Sequence, residues 1–82
     1  MFSPTEEKVI KAITKRHVSV LEVANRVYKN SEKPLNPRNT VAGIIQRVNR
    51  KCLYYKLDWH IAGEGLGRHG KTVWKESLKE QK

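Results

Sequence analysis

Apolar residues recur at three- and four-residue intervals through the first two thirds of the chain and at every second position later, which predicts helices first and strands last. Ser3-Pro4-Thr5-Glu6 has the form of a capping box with proline at the first helical position, so a first helix should begin there. Val9, Ile10, Ala12 and Ile13 give it an apolar stripe, Lys8, Lys11, Lys15 and Arg16 stay solvated, and it should stop near Arg16. Ser19-Val20-Leu21-Glu22 is a second box, with Val18 placed to staple onto Val23. A second helix is expected from about Val20 to Lys29, with Val20, Leu21, Val23, Ala24, Val27 and Tyr28 on its apolar side.

Residues 30 to 37, NSEKPLNP, hold too much turn chemistry for helix or strand and read as a connector. Asn36 is then the expected cap and Pro37 the first residue of a third helix running to about Cys52. On its wheel Val41, Ile44, Ile45, Val48 and Cys52 fall within an arc of roughly 100°, opposite Asn39, Gly43, Gln46 and Arg50, with Thr40 and Arg47 flanking that polar group. One face is core, and the other carries amides and guanidinium groups.

After Leu53-Tyr54-Tyr55 the period becomes two: Leu57, Trp59 and Ile61 point one way, Asp58 and His60 the other. A second β run, Thr72 to Lys75, follows a glycine-rich stretch, and the two runs read as a hairpin. Trp59 and Trp74, at strand positions, are expected in the core rather than stacked on bases. Residues 1–76 are expected to form one domain, and 77–82 a charged tail. Within the hairpin, GLGRHGKT at residues 65–72 satisfies the pattern of a phosphate-cradling loop. Such a loop must follow a buried parallel strand and open a helix, whereas β-formers follow Thr72 here, so a hairpin tip is the better reading.

Charge then directs attention to polyanions. The 82 residues include 17 Lys and Arg against eight Asp and Glu, a net charge of +9, and nucleic acid leads the expected partners. The single cysteine, Cys52, continues the apolar stripe and reads as a small core residue. His17, His60 and His69 lie on different elements, so no metal site is expected, and no cofactor or catalytic arrangement emerges. No apolar run approaches a membrane span, which predicts a soluble, cytoplasmic, nucleoid-associated protein rather than a membrane partner.

Between Lys33 and Leu57 there is no acidic residue. A third helix with this chemistry can enter a major groove, where Gln matches adenine and Arg matches guanine; Asn39, Thr40, Gly43, Gln46, Arg47 and Arg50 are the candidate base contacts. Arg38, Lys51, Tyr54 and Lys56 are candidates for the duplex backbone, and Arg68, His69 and Lys71 at the hairpin tip for backbone or minor groove.

The run RNTVAGIIQRVNRKCLYYKLDWHIAGEGLGRHGKTVWK resembles the recognition helix and wing of winged helix-turn-helix bacterial transcription regulators, especially OmpR-like output domains of response regulators. The resemblance covers about residues 17 to 75. It implies an α+β fold, a three-helix bundle followed by a C-terminal β-hairpin wing. It also implies a major-groove role for Asn39 to Arg50, a wing role for Arg68 to Lys71, and contact with RNA polymerase through the loop Ser31 to Leu35. The N-terminal sheet and phosphoacceptor domain of that family have no counterpart before the first helix, which suggests a compact regulator of phage or mobile-element type. The expected function is thus double-stranded DNA binding in transcription regulation. The alternatives are a winged-helix module docking on RNA polymerase or another regulator, and an RNA or architectural binder that tracks a backbone without reading bases.

Overall fold

The computed structural model describes residues 1–29, 34–64 and 72–78. It is a small α+β domain of three helices and a three-stranded antiparallel sheet. The elements follow the order α1 (Pro4–Ala12), β1 (Val18–Ser19), α2 (Val20–Val27), α3 (Pro37–Tyr54), β2 (Trp59–Glu64) and β3 (Thr72–Ser77).

Helix α1 begins at the expected capping box, with both halves formed: Ser3 Oγ accepts from the Glu6 N–H at 3.2 Å, and Glu6 Oε1 accepts from the Ser3 N–H at 2.8 Å. It ends at Ala12, four residues before the expected Arg16. Ile13 turns extended, which seats its side chain in the core and frees the Thr14 carbonyl to accept the Lys75 N–H of β3 at 2.7 Å. The Ala12 carbonyl, left over at the helix end, accepts from Arg26 Nη1 at 3.0 Å.

The strand β1 has no counterpart in the hydrophobic pattern, because two residues are too few to show a period. Val18 and Ser19 pair with Val73 and Thr72, making β3 the central strand in the order β1-β3-β2. Val18 therefore has a strand partner as well as its place against the core. Ser19 caps α2 by accepting from the Glu22 N–H at 3.0 Å, but the Glu22 carboxylate pairs with Arg26 at 3.7 Å, so half of the expected box is present. Helix α2 buries Val20, Val23, Ala24 and Val27; Leu21, expected on the same side, is 49% exposed at the margin of that arc.

Helix α3 opens at Pro37, but Asn36 makes no side-chain cap; its carbonyl instead accepts both the N–H and the Oγ1–H of Thr40, each at 3.0 Å. The buried side of α3 is the predicted one: Val41, Ile44, Ile45, Val48 and Cys52 join Val9, Ile13, the four α2 residues, Ile61 and Val73 in one core. Asn49 fastens α3 to the sheet. Just before β2 the Asp58 carbonyl accepts the Leu78 N–H at 2.7 Å on the β3 side, so alternation turns the Ile61 groups away from β3. There Asn49 Nδ2 donates to the Ile61 carbonyl at 2.9 Å and Asn49 Oδ1 accepts the Ile61 N–H at 2.8 Å, standing in for a neighbouring strand.

The end of α3 is a Schellman turn. Leu57 N–H bonds the Cys52 carbonyl at 2.8 Å and Lys56 N–H the Leu53 carbonyl at 3.2 Å, which puts Lys56 in the left-handed region at φ 55°. Strand β3 runs two residues beyond the expected Lys75, so Ser77 and Leu78, assigned to the tail, continue the hairpin. Register places Trp59, Ile61, Val73 and Lys75 on the core face, and His60, Trp74 and Glu76 on the other. Trp59 packs against the core as expected; Trp74 does not, and is instead stacked on His17 with ring centroids 4.0 Å apart.

A lysine gains nothing from a left-handed backbone that glycine adopts without steric cost. Lys56→Gly should therefore stabilise the fold by about 1 kcal/mol, seen as a higher urea midpoint at unchanged m.

Candidate nucleic-acid interface

The long helix α3 presents one uncovered strip. Asn39, Gly43, Gln46, Arg47 and Arg50 are all exposed, and the strip continues into Leu53 and Tyr54, which are 82% and 78% exposed. The uncovered side chains follow from the same spacing that buries the valines and isoleucines, since residues half a turn out of phase with the core must face outward. Among the described residues no hydrogen bond or ion pair engages the side chains of Asn39, Gln46 or Arg50. Two amides and a guanidinium group are thus open to a ligand.

The flanking candidates are more constrained. Thr40 is half-buried, and its hydroxyl hydrogen is committed to the Asn36 carbonyl. Arg38 is half-buried and already makes an interaction of its own. Lys51 Nζ lies 2.6 Å from Glu6 Oε1, and Arg47 Nε 4.0 Å from Glu6 Oε2. The carboxylate is 4% exposed, while the Arg47 side chain is 63% exposed. Lys51 is consequently a neutralised structural partner rather than a free cation, and Arg47 is a guanidinium group tethered at one edge. Within the stretch without acids between Lys33 and Leu57, Arg47 and Lys51 are thus met in space by an acid from α1, which sequence distance concealed.

Tyr54 at the end of the strip and Lys56 just beyond it are also exposed, Tyr54 meeting Tyr55 edge to face at 4.9 Å. Arg68, His69 and Lys71 lie outside the described residues, as does most of GLGRHGKT. Thr72, the last residue of that pattern, opens β3, and the preceding β2 is antiparallel to it; the helix that a phosphate-cradling loop requires is replaced by a strand.

No family model, curated protein or solved structure matches this chain. Its chemistry has to be read from its own surface.

Among the described residues no helix is long and apolar enough to cross a membrane, and no cluster of three metal-ligating side chains occurs. His60 Nε2 instead lies 3.1 Å from Glu76 Oε1, whose other oxygen accepts from Trp74 Nε1 at 3.3 Å. The outer sheet face carries Asp58, Glu64 and Glu76, and the α3 strip carries amides and arginines.

Glu6 sets the pH behaviour of the strip's support. The hydrogen bond from Lys51 foremost, then the Ser3 N–H, hold its carboxyl below the usual carboxylate range against the opposing effect of burial. Because the folded value is the lower one, the contribution to stability is complete above the ordinary carboxylate range and disappears as pH falls through the folded value. Glu6→Gln, which keeps an acceptor for Ser3 but no charge for Lys51, should cost about 1–2 kcal/mol at neutral pH. Urea midpoints of the wild type and the variant should converge in acid.

Proposed function

We propose that this protein is a double-stranded DNA-binding transcription regulator of winged-helix type, with α3 in the major groove. The observation that carries the reading is the strip of Asn39, Gln46 and Arg50, exposed and unengaged among the described residues, on a helix whose opposite side is wholly committed to the core. Rigid backing matters because base readout requires donors and acceptors held at fixed spacing. A side-chain amide matches the N6/N7 edge of adenine and a guanidinium group the O6/N7 edge of guanine, and both presented on one helix give a sequence rather than a mere charge for the duplex to match. The order of elements, α1-β1-α2-α3-β2-β3 with the three strands in one antiparallel sheet, supports the winged-helix form, and the net charge of +9 supports a polyanionic partner. Tyr54, the last residue of α3, and Lys56 just past the helix end are the candidates to meet phosphates, with Arg68, His69 and Lys71 as the wing's contribution.

Selection from a random duplex library at two salt concentrations tests this. Gln46→Ala and Arg50→Ala should each cost about 1–3 kcal/mol on the selected site and relax the preference at one position. Lys56→Gln should weaken all duplexes alike and reduce the salt slope by about one. Identical behaviour of the three variants would rule out direct readout, and random duplex competing as well as the selected site would favour the architectural reading.

A second reading has one observation in its favour. Leu35, in the loop before α3, is fully exposed, a large apolar side chain that contributes nothing to the core. Docking of this loop on RNA polymerase or another regulator would cover it. Leu35→Ser should then weaken retention of purified polymerase while leaving duplex affinity and melting temperature unchanged.

A further inference from the structure

Gly43 stands in the middle of the uncovered strip, and the fold has no use for a glycine there. It lies within the helix, its φ is not in the left-handed region, and a Cβ built on it would meet nothing within 4 Å. Neither backbone conformation nor packing excludes alanine. Helix propensity favours alanine at such a site by about 1 kcal/mol. The missing side chain therefore matters only to something outside the fold that approaches the helix backbone.

What surrounds the gap indicates what that is. Asn39 and Gln46, four residues before and three after, share the face of Gly43 and flank it with two exposed, unengaged amides. Thr40, three residues before, has its hydroxyl hydrogen turned to the Asn36 carbonyl, so it offers no free donor beside the gap. Amides complement adenine, and the group that projects into the major groove from adenine's partner is the C5-methyl of thymine. Arg50, one further turn along, suits a guanine.

Resting on the DNA-binding reading, we infer that Gly43 forms a notch that seats a thymine methyl, so that α3 reads an A·T pair at its centre with a G·C pair towards its C-terminal end. Gly43 is thus a specificity-determining position, acting by what it omits.

The test uses the intact chain, the duplex it selects from a random library, and the same duplex with deoxyuridine in place of each conserved thymine. The wild type should bind the thymine duplex about threefold to fivefold more tightly than its uracil counterpart, the value of one buried methyl group. Gly43→Ala should melt a few degrees higher yet bind the thymine duplex more weakly and lose the thymine preference, because its own methyl fills the notch. A Gly43→Ala variant that keeps the wild-type thymine-to-uracil ratio overturns the inference, as does a selected site without a fixed A·T pair, and in both cases duplex binding itself survives. Absence of salt-sensitive binding to any duplex overturns the DNA-binding reading and the notch with it.

Discussion

The fold rests on the need to cover one side of α3. Val41, Ile44, Val48 and Cys52 are almost completely sealed, and α1, α2 and β2 all pack on that helix. An α-helix of 18 residues cannot be surrounded by so short a chain, because three packed elements cover about one side of it. The surface left open is as much a consequence of the packing as the core is. Side chains on that surface inherit the rigidity of the buried side without having to supply any packing themselves.

The attachments at the two edges of α3 are polar. At one edge Asn49 spends both ends of its amide on the Ile61 peptide groups, so β2 has a hydrogen-bonded neighbour on its outer edge without a fourth strand. At the other, Glu6 joins α1 to α3 by a bond to Lys51 while completing the cap of its own helix. A polar group buried without partners would be costly, and both residues are satisfied. These contacts are directional where the core is not, so they fix the rotation of α3 about its axis and thereby the direction in which Gln46 and Arg50 point.

The helices and the paired later strands were legible because their signals are local: caps within three or four residues, and apolar spacing repeated over several turns. The apolar side of α3 can be read residue by residue for the same reason. What escaped the pattern depends on distance in sequence. Glu6 reads as a cap, and only folding brings it 45 positions along the chain to Lys51, which turns an apparent free cation into half of an ion pair. Asn49 sits among the polar residues of α3 with no mark that it serves β2. The two-residue strand β1 exists because β3 offers it an edge, and the same pairing draws Thr14 out of α1 and shortens that helix. Trp74 is misread because alternation says which residues share a face but not which face is covered.

Cys52 ends the buried stripe of α3, 3% exposed, with its thiol pushed above the usual range by loss of water. As the chain's single sulfhydryl it is shielded from alkylating reagents for as long as α3 remains docked. Its modification rate in native solution thus counts the excursions in which the helix leaves its bed. The molecule carries an internal clock for its own breathing, placed on the helix that bears the exposed strip.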